Sequence, residues 1–220
     1  MTWKCCIVIF LVLFFLASPV RVLGSTEKSE LSPEQAALAK KLGVNPNPLI
    51  PQFRYRSVAD QTWLSPWVVE GTVERIDEDL YGPYHTKVRV KALRYLKGAG
   101  PHEITLNVLD GRFYSEYDKK IMRVDTVGSL TFSSGDVDGR FILFLDKHAL
   151  SPRGRETHYE HGEGEFRTAN RYRVVDDHAE PDPGIAEAGS PGAKRYSYQE
   201  IVAEILRVAV PQSQISKGTP

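Results

Sequence analysis

The stretch Trp67–Gly98, WVVEGTVERIDEDLYGPYHTKVRVKALRYLKG, restricts the fold more than any other part of the chain. Val68, Glu70, Thr72, Glu74 and Ile76 fall on one side of an extended backbone, with Val69, Gly71, Val73 and Arg75 on the other. The second half alternates as well, Val88, Val90 and Ala92 against Lys87, Arg89 and Lys91. A period of two over such a length describes half-buried antiparallel strands, and the whole stretch reads as one long β-hairpin. Its alternation slips near Ala92-Leu93, where Tyr95 continues the Leu93 side. A β-bulge there would bend the strand as barrels require. In a simple pairing, Glu70 and Glu74 lie across from the Lys87, Arg89 and Lys91 row, each exposed pair contributing at most about 1 kcal/mol.

The remaining elements are shorter. Residues 1–24 carry Lys4, then a continuous apolar run from Cys5 to Ala17, then Val22-Leu23-Gly24 before Ser25. This is the pattern of a secretory signal peptide cleaved after Gly24, and the run is short for a membrane span. Losing Lys4 and Arg21 leaves 26 basic and 28 acidic side chains, a net charge of −2. Both cysteines, Cys5 and Cys6, leave too. An exported chain without disulfides must be held by its core, and the roughly 195 residues that remain suffice for one. Near-neutral charge argues against nucleic acid or an anionic membrane as partner.

Residues 25–51 form an N-terminal appendage. Ser32, Pro33 and Gln35 have capping-box spacing, Gly43 stops the helix, and Pro46, Pro48 and Pro51 extend the connector. The main domain is expected over 52–177. It takes in the hairpin, a strand at Glu103–Leu109, a further strand around Val124–Phe132, a fully buried strand at Arg140–Leu145 and a short one at Arg171–Asp176. Asp146–Asn170 is charged, bears glycines and reads as a long exposed loop. Residues 178–196 have the composition of a linker. In 197–220, Ser197 and Glu200 cap a helix whose face is Ile201, Val202, Ile205, Leu206 and Val208, with Pro211 beyond its end. The expected class is mainly β: a small OB-like antiparallel β-barrel with an N-terminal and a C-terminal α-helix.

The order WVVEGTV, TKVRVKALRYLKG, EITLNV, GDVDGRFILFL and YRVV, spanning Trp67–Asp176, resembles exported bacterial domains that share the OB-like barrel of tissue inhibitors of metalloproteinases. The resemblance implies that barrel as the fold. It does not extend to the inhibitory mechanism, in which an N-terminal cysteine sits on the protease zinc, because the mature chain has no cysteine.

Two stretches bear on chemistry. Tyr81, Tyr84 and His85 at the hairpin tip, with the basic row Lys87, Arg89 and Lys91, read either as tyrosines packed on the barrel rim beside a strand kept soluble by its charges or as a surface for an acidic glycan, a peptide or a partner protein. The other stretch is His158-Tyr-Glu-His161-Gly-Glu163. Imidazole and carboxylate are zinc ligands, so His158, His161 and Glu163 are the candidate metal site. The glutamate stands beside the second histidine, and glycines follow, unlike a helical metalloprotease motif; a solvated polar loop is the plainer account of the stretch. Asp136-Val-Asp138-Gly139 opens like a calcium loop, but the twelfth position is Lys147. No Gly-x-Ser-x-Gly elbow or phosphate-cradling glycine loop is present. The expected function is that of an exported, non-catalytic binding or interaction module, periplasmic or secreted, without cofactor. Its partner would be an envelope or extracellular protein or glycan, with neither nucleic acid nor stable membrane insertion. The alternative is a metal-dependent hydrolase centred on His158–Glu163.

Overall fold

The computed structural model describes residues 31–46, 56–82, 85–124, 131–146, 164–182 and 191–217. The expected leader and the His158–Glu163 motif lie outside them.

Helix α1, Pro33–Leu42, begins with the expected reciprocal cap between Ser32 and Gln35. It ends at Gly43, whose φ of 65° is left-handed and lets its N–H reach the Ala39 and Lys40 carbonyls. A second helix, α2 at Val58–Leu64, has no counterpart in the periodicity of the sequence. Ser57 and Asp60 nonetheless form a capping box, and five of its seven residues are buried. Packing makes this short helix, not propensity. Gln61, fully buried, donates to the Arg56 carbonyl and accepts from Asn170.

The protein is mainly β. A seven-stranded sheet runs in the order β3 (Glu103–Val108), β2 (Thr86–Lys97), β1 (Trp67–Glu78), β6 (Arg140–Asp146), β7 (Glu165–Val175), β8 (His178–Pro181) and β9 (Tyr196–Ser197). The β1–β2 hairpin is as expected, including the bulge. Glu70 opposes Arg94 and Gly71 opposes Ala92, so Leu93 is the extra residue. Further irregularities fall at Leu96 and at Glu74. Close approach at Gly71 demands glycine, since a Cβ there would lie 2.6 Å from Val90 Cγ1 and 2.9 Å from the Lys91 carbonyl oxygen.

The sheet is mixed where an antiparallel one was expected. β3 also pairs in parallel with β7, through Thr105–Glu165 and Leu106–Phe166. Each of β3, β2, β1, β6 and β7 therefore has a neighbour on both sides. Two hydrophobic clusters explain why β6 reads RFILFL. Phe141, Leu143 and Leu145 join Val69, Val88, Ile104, Leu106 and Phe166 on one face. Ile142 and Phe144 join Val68, Tyr172, Ile201 and Ile205 on the other, under α2 and the C-terminal helix. A strand buried on both faces loses its alternation.

Several expectations are corrected. β7 starts at Glu165, inside the expected long loop, and Asn170 is buried. The expected linker 178–196 contributes β8 and β9 to the sheet edge. A separate two-stranded arm forms from β4 (Gly111–Ser115) and β5 (Lys120–Val124), and most of the strand expected at Val124–Phe132 lies outside the described residues. Helix α3, Tyr198–Lys217, is capped by Ser197 and Glu200 as expected but continues through Pro211. A proline there removes one helical hydrogen bond without ending the helix. Among the described residues, no helix is long and apolar enough to cross a membrane.

Candidate binding surface at the paired hairpin tips

The arm β4–β5 shapes the candidate surface. A free two-stranded hairpin is marginal in water, and this one leans on the tip of the β1–β2 hairpin. Tyr114 donates its backbone N–H to the Leu80 carbonyl at 2.7 Å. Its ring packs against Tyr81 with centroids 5.6 Å apart. Arg112 bonds Glu78 through Nε at 2.7 Å and through a second nitrogen, and this pair holds the Glu78 carboxyl below its ordinary range. Register places Arg112 opposite Arg123 and Tyr114 opposite Ile121, so these four share one face of the arm. On the other face Phe113 opposes Met122 and stacks on His85 at 4.7 Å.

The outcome is a shelf of exposed aromatic and aliphatic side chains. Tyr81 is 80% exposed, Ile121 54%, and Tyr117, in the turn of the arm, 95%. At the shelf's root, Arg112 and Arg123 line a cleft of about 620 Å³, with Asp77, Glu78, Asp110 and Ser134 among its other walls. His85 is part of the support more than of the surface. Burial pushes its imidazole below its ordinary value despite Asp79 and Asp110, and its Nδ1 has no hydrogen-bond partner among the described residues. Tyr84 lies outside the described residues.

The basic row is present but largely answered. Lys87 pairs with Asp79 at 3.2 Å and Arg89 with Asp77 at 3.6 Å. Lys91 stands between Thr72 and Glu103 in register. Glu70 and Glu74 do not face this row as the simple pairing required. Glu74 is an exposed irregularity, and the Leu93 bulge brings Arg94 opposite Glu70.

Glu70 is the centre of a cluster that sequence reasoning missed. Its side chain is 2% exposed. It accepts from Arg94 Nε at 2.7 Å, from the Tyr198 hydroxyl at 2.7 Å and from Arg140. Burial alone would raise the Glu70 carboxyl; bonds from Tyr198, Arg94 and Arg140 outweigh it and hold the group below its ordinary value. Arg140 also lies over the Tyr198 ring at 4.7 Å. This cluster ties the start of α3 to β1, β2 and β6.

A second cluster buries Arg171 between Asp182, at 2.6 Å, and Asp136, at 3.5 Å, with its guanidinium 4.1 Å from the Phe132 ring centroid. Asp136, first residue of the calcium-like motif, is engaged here and by Arg173 and the Ser133 N–H. Among the described residues no three His, Cys, Asp or Glu side chains gather as a metal site, while His158, His161 and Glu163 lie outside them. No protein-family model matches the chain, and no curated protein is significantly similar to it in sequence.

Proposed function

We propose that this chain is an exported, non-catalytic binding module of the cell envelope or extracellular space, built on an OB-like barrel. The parallel β3–β7 contact supports the barrel, because it joins the two ends of the five-strand run. The leader-like residues 1–24 support export. One observation carries the binding reading: Tyr81 and Tyr117, 80% and 95% exposed, stand on two hairpins that brace each other. Large aromatic groups held out on a supported frame are what protein and glycan contacts use. A non-catalytic role agrees with the state of the buried carboxylates Glu70, Asp136 and Asp182, which are committed to internal hydrogen bonds.

The partner meets the shelf by aromatic contact, while Arg112 at its root is already engaged by Glu78. Charge attraction through Lys87 and Arg89 is secondary, because both already have acidic neighbours. The test is retention of an envelope component on the immobilised mature chain. Tyr81→Ser with Tyr117→Ser reduces retention at least tenfold, while Lys87→Ser with Arg89→Ser changes it less than threefold. Undiminished retention by the double tyrosine variant would overturn the assignment of the shelf.

A further inference from the structure

Lys97 closes β2 against the end of α2. Its Nζ donates to the carbonyls of Thr62 at 2.6 Å and Trp63 at 3.1 Å, and no carboxylate pairs with it among the described residues. Burial depresses this amine to about 8. An ammonium withdrawn from water and answered only by carbonyl dipoles is an uncompensated charge, which proteins rarely keep without use. The same side chain lines a groove of about 630 Å³ walled by Trp63, Pro66, Leu96, Ala209 and Val210. That size is within the range of small-molecule sites. Every other residue lining the groove, from α1, α2, β2, the turn after it and α3, is without an ionisable side chain.

We propose that this groove binds a single-chain fatty carboxylate, its alkyl chain along Trp63, Leu96, Ala209 and Val210 and its headgroup on Lys97. The match is one of charge and polarity. One cation in a trough lined otherwise by apolar residues and by the neutral side chains of Gln35, Gln212 and Ser213 calls for one anion joined to a largely apolar tail. Two of the three ammonium donors are used by Thr62 and Trp63, so the third meets the headgroup. A carboxylate brings the counter-charge that the fold omits, which offsets the cost of burying both groups. This site lies apart from the tyrosine shelf and does not depend on it.

The mature chain reports on its own groove, because its two tryptophans are Trp63, in the wall, and Trp67, whose Nε1 donates to the carbonyl of Ala99 on the rim. Titration with dodecanoate below its micelle concentration gives a saturable one-to-one change in tryptophan fluorescence. Dodecanol and dodecyltrimethylammonium bind at least tenfold more weakly, and dodecanoate affinity falls as pH is raised past about 8. Lys97→Met keeps the aliphatic stem and removes the preference for carboxylate over alcohol. Val210→Asp places a like charge at a half-exposed position of the wall; it weakens dodecanoate at least fivefold and decides the matter if Lys97→Met does not fold. Equal affinities for dodecanoate and dodecanol, unchanged preference in Lys97→Met or, failing that, Val210→Asp, or no saturable response would each overturn the proposal.

Discussion

Replacing Glu70 by alanine tests the packing of α3 on the sheet. The carboxylate accepts from Arg94, Arg140 and Tyr198, and its side chain is 2% exposed. Hydrogen bonds to charged groups contribute about 1.5–3 kcal/mol each. The two arginine side chains are 49% and 42% exposed and re-solvate when freed, so each falls to about 0.5–1 kcal/mol. Loss of the Tyr198 acceptor and of the buried methylenes then brings the total to about 3 kcal/mol, at the lower edge for breaking a buried ion pair. For a domain of this size that lowers Tm by roughly 6–12 °C. The assay is denaturant unfolding followed by circular dichroism, with Glu70→Gln alongside to remove charge while keeping shape. The sign with pH follows from the depressed carboxyl. Its stabilisation is complete above the ordinary value of 4.5 and is lost as pH falls through the folded-state value. The gap between wild type and Glu70→Gln therefore narrows on acidification. Glu70→Ala within 0.5 kcal/mol of wild type, or a gap that widens in acid, would refute the reasoning.

Two further substitutions probe separate features of the fold. Gly71→Ala puts a methyl 2.6 Å from Val90 Cγ1 and 2.9 Å from a backbone oxygen, and overpacking of this kind costs about 1–3 kcal/mol by thermal or denaturant melting. Arg171→Ala removes the cation shared by Asp182 and Asp136, and because Asp136 keeps Arg173 and the Ser133 N–H the cost is about 3 kcal/mol, the low end for breaking a buried pair; Arg171→Lys recovers less than half of that, because an ammonium cannot reach both acids and stack on Phe132.

Local patterns were read correctly where one interaction decided the structure. The caps at Ser32 and Ser197, the glycine stop at Gly43 and the alternation in β1 and β2 each depend on near neighbours. The run at Arg140–Leu145 was legible because burial on both faces erases polarity from a whole strand. Glu70 was not, for a geometric reason. Alternation places it beside Glu74 facing the Lys87–Lys91 row, and a single extra residue at Leu93 exchanges that row for Arg94. Arg140 and Tyr198, both distant in sequence, then converge from β6 and α3. The short elements α2, β8 and β9 were hidden because their stability comes from what they pack on. At the tip, Tyr81 was legible as an exposed aromatic, whereas its support by Tyr114 required the fold of the β4–β5 arm. The basic row was legible as composition, and its neutralisation by Asp77 and Asp79 was not.

Site-specific photocrosslinking in the intact envelope tests the binding reading most directly. A benzophenone amino acid is placed at Tyr81, at Tyr117 and, as a control, at Leu206, which is 40% exposed on α3. The account predicts one discrete adduct shared by positions 81 and 117 and absent at 206. No adduct at either tyrosine position, or the same adduct at all three, would contradict it.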